Sequence, residues 1–380
     1  MYSKEKINEL LEKIASELDI SEALFDKAEK EYENLGAWID KKTPNYNIDI
    51  YPQGSFALGT VVKPLSDNDE YDIDLVCEYE EQYGLSAKQL KVDEVKPLLE
   101  GYKETSTHLE EKSRCWRIEY DHFKGFHLDV IPSYKQQNSI SITHKSDNGY
   151  YYIGSNPKGY ASWFIGQMKV QRQKLIEKNQ RLNQAIVLDQ ASVVPIKEYK
   201  LKTPLQKAIQ ILKRHRDIVF INDNSNSAPV SIVITTIAGH LYDNQDNILD
   251  TIDSFLSGAE SWVYNNMRDE KYYIENPSLP EENFADKWND CPEKVEAFFR
   301  WIRMAKVNLV EDLMKTEYKN DMANKLKTYL GERAVTRVFD EMAKSDKESI
   351  LSQNKKIVAA TGAISERGTI PIPRNHHYGK

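Results

Sequence analysis

The sequence has few cysteines and no long apolar run. Its three cysteines, Cys77, Cys115 and Cys291, are scattered and odd in number. They fit a reducing compartment better than a disulfide framework, and no Cys/His group has zinc-site spacing. No segment approaches the roughly eighteen apolar residues of a membrane span. The charged, amphipathic N-terminus lacks the apolar core of a signal peptide. We therefore expect a cytoplasmic protein that makes no membrane contact.

A basic excess is also missing. The chain carries 51 basic and 59 acidic side chains, a net charge of −8. This balance argues against a stable nucleic-acid partner, although it leaves room for local basic patches. At 380 residues the chain is long enough to bury a large core and to form two lobes. It has no internal repeat and no low-complexity segment.

A Gly-Ser turn follows the first predicted strand. The string I-D-I-Y-P reads as a strand that Pro52 ends, and Q-G-S-F-A-L-G-T follows it directly. Glycine permits positive φ and close backbone approach. Gly54 and Ser55 could therefore present backbone N–H groups to a triphosphate. Because of Gly59, the run after Ser55 predicts only a short or irregular helix.

Two further strand-like strings supply carboxylates. In Y-D-I-D-L-V, Asp72 and Asp74 point to the same face of a strand, and Asp129 in F-H-L-D-V-I-P would add a third ligand from a neighbouring strand. Such oxygens suit Mg²⁺, and two ions roughly 3.5–4 Å apart can hold the attacking and leaving oxygens of a nucleotidyl transfer. His127 would share the face of Asp129, but a packed or hydrogen-bonded strand histidine is the commoner case. We assign it no role.

Each element alone is ordinary: a turn, a solvated acidic strand, a strand-end aspartate. Their combination and order resemble the polymerase-β-like nucleotidyltransferase superfamily. The strings Y-P-Q-G-S-F-A-L-G-T-V-V-K-P, D-I-D-L-V, L-D-V-I-P-S, S-N-P-K-G-Y-A-S-W-F and P-L-Q-K-A-I-Q-I-L-K-R-H-R-D cover most of the chain. They resemble the bacterial nucleotidyltransferases related to cyclic GMP-AMP synthase and DncV (CD-NTases). The zinc module of the animal enzyme is missing.

The resemblance implies an α+β fold. A polymerase-β-like core, with a mixed sheet and flanking helices, would precede a C-terminal helical lobe, and the active site would lie in the cleft between them. We expect the core and a long N-terminal helix in residues 1–200, the helical lobe in 201–366 and an exposed tail in 367–380. Within this frame, the patterns predict one helix over residues 3–40.

The local patterns predict the remaining elements. Residues 116–121 and 126–131 look like paired strands, and loops dominate residues 135–160 because of their turn residues. A helix is expected at about 160–182. From residue 203 the pattern is almost purely helical, with breaks near 222–229 and 276–283.

The resemblance also extends the candidate site. Family members place a lysine against the terminal phosphates, and the matching I-L-K position is Lys213, on a predicted helix over residues 204–217. The ordinary interpretation of that helix's basic side is a solvated charged face. Ser231 is the nearest match to a phosphate-contacting serine at the start of the next helix, with Ser227 as a competitor. The expected site comprises metal ligands Asp72, Asp74 and Asp129 and phosphate-binding Gln53, Gly54, Ser55, Lys213 and Ser231.

The implied reaction joins nucleoside triphosphates into a cyclic di- or trinucleotide second messenger for antiphage signalling and releases pyrophosphate. It would use two Mg²⁺ ions, with Mn²⁺ as an alternative. A regulatory partner protein and an effector that binds the product are the implied partners. Two alternatives stay open. The enzyme could make linear oligonucleotides or modify a polynucleotide, protein or small-molecule hydroxyl, or the chain could be a non-catalytic nucleotide sensor. Three clustered like charges disfavour the sensor.

Overall fold

A seven-stranded mixed sheet forms the centre of the N-terminal half. The computed structural model describes residues 2–66, 71–80, 83–102, 108–119, 125–188, 200–223 and 225–351, with short pieces at 356–357, 364–365 and 370. The order of the sheet is β1-β2-β5-β4-β3, and β6 pairs with both β5 and β7. The strands are β1 (Ile48–Pro52), β2 (Tyr71–Tyr79), β3 (His108–Glu111), β4 (Trp116–Glu119), β5 (Phe126–Lys135), β6 (Ile140–Ser146) and β7 (Gly149–Ser155).

Helices surround the sheet and make up most of the described C-terminal half. The first six are α1 (Lys4–Leu18), α2 (Glu22–Lys42), α3 (Gly54–Leu58), α4 (Lys96–Glu100), α5 (Pro157–Gln167) and α6 (Lys169–Leu188). The others are α7 (Pro204–Val219), α8 (Ser231–Leu241), α9 (Ile248–Asn265), α10 (Asp286–Asp290), α11 (Pro292–Lys306), α12 (Asp312–Lys315), α13 (Lys319–Leu330) and α14 (Glu332–Leu351). π-Helical turns at Gln89–Val95 and Val307–Glu311 lead into α4 and α12.

Two small hairpins complete the described secondary structure. One pairs β8 (Glu275–Asn276) with β9 (Leu279–Asn283), and the other pairs β10 (Lys356–Ile357) with β11 (Ile364–Ser365). Among the described residues, no helix is long and apolar enough to cross a bilayer. The expected tail lies outside the described residues except for Ile370, and so does most of the connector between α6 and α7.

The prediction of one helix over residues 3–40 is wrong, because the chain forms α1 and α2 instead. Asp19 ends α1 with an extended backbone, and Ser21 begins α2 by accepting a hydrogen bond from the backbone N–H of Leu24. A serine cap marks the start of a new helix, because its hydroxyl accepts from a backbone N–H of the first turn that has no partner within the helix. The two helices also pack in different cores: Leu11 of α1 with the helical half, Leu35 of α2 against the sheet.

The prediction that loops dominate residues 135–160 is also wrong. The strands β6 and β7 form an antiparallel hairpin whose two-residue turn is Asp147 and Asn148, and Gly149, the first residue of β7, has a φ of +104°. Asn-Gly is a hairpin turn signal, and isoleucines, threonine and tyrosines favour the flanking strands. The helix expected at 160–182 is interrupted at Met168, between α5 and α6. The expected break at 276–283 holds the β8–β9 hairpin. The expected pairing of β4 with β5 is confirmed.

The predicted α+β fold class is confirmed. The helix α3 lies where the two main hydrophobic cores of the protein meet. Phe56 of α3 is buried in the core formed by the sheet and α2, whereas Leu58 is buried in the core formed by α1, α7, α8 and α9. This five-residue helix therefore fixes the Gly-Ser turn against both halves. The division of the chain at residues 200 and 366 stays a prediction, and α1 belongs to the helical core.

Candidate active site

The three predicted carboxylates come from adjacent parallel strands. In the register of β2 with β5, Asp74 lies opposite Asp129, and Asp72 lies opposite His127. Alternation along β2 sends Ile73 and neighbouring apolar residues into the sheet core while the two aspartates face the other way. The strand pattern alone thus brings the carboxylates to one face of the sheet.

Arg117 of β4 binds two of these carboxylates. Its Nε and Nη2 donate to the two oxygens of Asp129 at 2.9 and 2.8 Å, and Nη2 also donates to Asp72 Oδ1 at 2.9 Å. Such bidentate pairing fixes the orientation of a carboxylate as well as its charge. His127 Nε2 is hydrogen-bonded to the same oxygen of Asp72. Arg117 and His127 therefore hold Asp72 and Asp129 in place.

The sequence analysis missed Arg117 and left His127 without a role. Alternation along β5 had put His127 on the face of Asp129, but alternation alone could not place Arg117. Arg117 on β4 lies opposite Asp129 of β5, and His127 is two residues before Asp129 on β5. The sequence analysis lacked the residue-by-residue pairing of β4 with β5. That pairing decides which side chains of β4 lie beside the carboxylates.

The charges of the site shift its pKa values in opposite directions. Burial raises the pKa of Asp74 to about 7, and the negative charges of Asp129 and Asp72 add to the rise. The hydrogen bond with His127 lowers the pKa of Asp72 despite partial burial. Burial is the largest single effect and would lower the pKa of His127, but the hydrogen bond to Asp72 and the negative charge of Asp72 together raise it. Like charges held this close favour a bound proton or cation.

The donor set fits a divalent metal ion. Ligand atoms of Asp72, His127 and Asp129 lie within 4.8 Å of one another, and Asp74 is not part of that group. Carboxylate oxygens are the ligands Mg²⁺ prefers, while an imidazole nitrogen suits transition metals. The predicted trio therefore gains a histidine neighbour, while Asp74 lies on the same strand face as Asp72 but outside this group of ligand atoms.

Asp74 lies against the Gly-Ser turn. The backbone N–H of Gln53 donates to the carbonyl of Asp74 at 2.8 Å. Gly54 has a φ of +61°, and a Cβ added there would be 2.6 Å from Asp74 Oδ2. Only glycine fits both the conformation and the space. Ser55 follows within α3, and Gly59 ends the helix in the left-handed conformation. The structure thus places the predicted phosphate turn beside the predicted metal ligand.

Lys213 contacts Thr60, just after the short helix α3 that begins at the Gly-Ser turn. A capping box at Thr203 and Gln206 starts α7. On this helix Lys213 is 5% exposed, and its Nζ donates to the carbonyl oxygen and hydroxyl of Thr60 at 3.0 and 3.1 Å. The Thr60 backbone N–H donates to the Ser55 carbonyl at 2.9 Å. Burial lowers the pKa of Lys213 to about 7. Lys213 is therefore one hydrogen-bonded residue away from the turn.

Ser231 begins α8, as expected, but its hydroxyl is engaged by a neighbour. Arg216 Nη1 donates to Ser231 Oγ at 2.9 Å and to the carbonyl of Pro229 at 2.9 Å. The competitor Ser227 donates to Asp223 at 2.7 Å. Ile232, which follows Ser231, lines the same cavity as Gln53 and Gly54. The start of α8 therefore lies across a cavity from the Gly-Ser turn.

Comparison with known proteins agrees with this geometry. Residues 6–167 match the family model described as Second Messenger Oligonucleotide or Dinucleotide Synthetase domain (SMODS). A c-di-GMP synthase of Roseivirga ehrenbergii is 28% identical over 387 aligned positions, which cover 99% of this chain and 98% of the relative.

Two solved structures share the fold. Bradyrhizobium diazoefficiens CdnG in complex with GTP has a TM-score of 0.71 at 22% identity, covering 89% of this chain and 99% of the other. Escherichia coli CdnC in complex with HORMA-deltaN has a TM-score of 0.61 at 12% identity, covering 85% and 96%. The SMODS match over the sheet and both aspartate strands, together with the similarity of the whole chain to a c-di-GMP synthase, agrees with the expected resemblance to the cyclic GMP-AMP synthase- and DncV-like nucleotidyltransferases.

Proposed function

We propose that this enzyme joins nucleoside triphosphates into a cyclic dinucleotide second messenger and releases pyrophosphate. One observation carries the proposal most directly. The carboxylate of Asp74 lies against Gly54, so a triphosphate held by the Gly-Ser turn would have its reacting phosphate beside the metal ligands. The relative from Roseivirga ehrenbergii is a c-di-GMP synthase, which supports a cyclic dinucleotide as the product.

Asp72, Asp74 and Asp129 would hold two Mg²⁺ ions, with Mn²⁺ as an alternative. When bound, such ions neutralise the triphosphate and hold the attacking and leaving oxygens of the displacement. Arg117 and His127 keep the oxygens of Asp72 and Asp129 aimed at the site. Since catalysis of this kind depends mostly on positioning and charge, these hydrogen bonds support the carboxylates by holding them in position.

Gln53, Gly54 and Ser55 would bind the phosphates through backbone N–H groups and the serine hydroxyl. Lys213 contributes positive charge from behind the turn, where its ammonium group donates to Thr60. A bound triphosphate would favour the charged form of Lys213, whose pKa burial lowers to about 7. Ser231 would join the phosphate site if its hydroxyl turned away from Arg216.

The biological setting we propose is antiphage signalling in the cytoplasm. Escherichia coli CdnC, which shares the fold, forms a complex with HORMA-deltaN. That complex supports a regulatory protein partner for this enzyme as well. A downstream effector would bind the cyclic product.

Pyrophosphate release from the four nucleoside triphosphates with Mg²⁺ tests the reaction. We expect release by the wild-type chain and its loss in Asp129→Asn, because the amide cannot supply the negative charge. Asp147→Asn is the matched control, since Asp147 is exposed in the β6–β7 turn and is not among the carboxylates of the site. No release by the wild type, or full release by Asp129→Asn, would contradict the proposal.

A further inference from the structure

A small cavity lies between α3 and the β8–β9 hairpin. Its volume is about 140 Å³, and Gly54 lines it from α3 while Glu282 and Asn276 line it from the hairpin. Most of the remaining wall is apolar: Ala57, Leu58, Pro157, Ala161, Ile232 and Phe284. Cavities that enclose a whole drug-sized ligand measure roughly 300–1,000 Å³. This one suits a single planar ring system whose attached groups extend into the cleft.

Glu282 is the carboxylate among the polar residues of the wall, and it keeps acceptor capacity. Asn276 Nδ2 donates to its Oε2 at 2.8 Å, and Ser155 Oγ lies 3.5 Å from both oxygens. An ionised carboxylate accepts at about four lone-pair positions. Glu282 is half-buried, and this burial raises the pKa of its carboxyl group. Its spare acceptor positions are therefore available to a ligand in the cavity.

The hairpin that carries Glu282 is fixed to the sheet side of the cavity. Asn156 Nδ2 donates to the Ser278 carbonyl at 3.1 Å, and Ser278 Oγ donates to the Asn156 carbonyl at 3.2 Å. Asn156 also caps α5 by accepting from the backbone N–H of Gly159 at 2.9 Å. These reciprocal bonds hold Glu282 at a set position relative to α5. A side chain that selects a ligand must itself be held in position by its neighbours.

We propose that Glu282 selects guanine for the nucleotide whose phosphates lie at the Gly54–Ser55 turn. This inference rests on the proposed function. Guanine presents two adjacent donors, N1–H and the 2-amino group, which match the two oxygens of one carboxylate. Adenine places the unprotonated N1 at the same position, where it would face a carboxylate lone pair. Uracil and cytosine each offer one donor on that edge. Hydrogen bonds to a charged acceptor are the strong ones, and a site built for a donor rejects an analogue that lacks it.

Equilibrium binding tests this assignment without depending on turnover. The ligands are the non-reacting α,β-methylene analogues of GTP, ITP and ATP, measured with the full chain and Mg²⁺. Inosine lacks only the 2-amino group of guanosine, so the GTP-to-ITP affinity ratio isolates one contact. We expect the wild type to prefer the GTP analogue by roughly 10- to 100-fold over the ITP analogue. Glu282→Gln should reduce this ratio to near one, because glutamine offers one acceptor in place of two.

Glu281→Gln is the matched control, since Glu281 is exposed on the same hairpin; its ratio should equal that of the wild type. A wild-type ratio near one would overturn the inference even if Glu282→Gln failed to fold. An unchanged ratio in a folded Glu282→Gln variant would also overturn it. Failure of the proposed function is a separate result: the chain would release no pyrophosphate, whatever its preference between the analogues.

Discussion

Gly54→Ala should damage catalysis far more than folding. Gly54 has a φ of +61°, and its added Cβ would be 2.6 Å from Asp74 Oδ2. An L-residue in the left-handed region costs about 1–2 kcal/mol. To regain ordinary contact, the Asp74 carboxylate must also move by close to 1 Å. A displacement of that size can cost about 100-fold in rate. We therefore expect kcat to fall about 100-fold while the free energy of unfolding falls by only about 1–2 kcal/mol.

Gly84→Ala separates the two effects. Gly84 has a φ of +69°, and a Cβ added there meets nothing within 4 Å. It should show the same loss of stability in urea unfolding as Gly54→Ala and wild-type pyrophosphate release. If Gly54→Ala kept wild-type activity, or if Gly84→Ala lost as much activity, the argument that Gly54 is required by its approach to Asp74 would be refuted.

Two further substitutions test the charges of the site. Arg117→Gln leaves Asp72 and Asp129 without their shared cation, so a Mg²⁺ titration should reach half-maximal activity at several-fold lower concentration, with kcat at least about tenfold lower. A rise in the Mg²⁺ requirement would contradict this. Lys213 has a folded-state pKa of about 7, below its ordinary 10.5. The folded chain then binds fewer protons than the unfolded chain between these values, so stability rises with pH there. Lys213→Met should remove about 1–2 kcal/mol of that rise between pH 7 and 8.5 in urea unfolding; an unchanged pH profile would contradict it.

Local patterns predicted the parts of the site that lie within single strands. Alternation put Asp72 and Asp74 on one face, and the glycines around α3 predicted a short helix. Asp129 was placed on a neighbouring strand, and the parallel register of β2 with β5 sets it opposite Asp74. These features need only the geometry of a strand and the conformational freedom of glycine.

What sequence could not supply was the pairing between distant segments. Arg117 becomes a partner of Asp129 only because β4 pairs with β5 in one register. Glu282 lines the cavity from a hairpin whose Ser278 bonds to Asn156, which is 122 positions away in sequence. The break between α1 and α2 depends on Ser21 acting as a cap where a helical pattern continues through it. Such outcomes depend on tertiary contacts that compete with local preference.

The most direct test of second-messenger synthesis is to identify the product. The wild-type chain is incubated with the four nucleoside triphosphates and Mg²⁺, and the mixture is treated with phosphatase and analysed by mass spectrometry. We predict a phosphatase-resistant cyclic dinucleotide that is absent when Asp72 and Asp74 are both replaced by alanine. Products that are only linear and phosphatase-sensitive would contradict cyclisation. The same product from the double variant would contradict the assigned site.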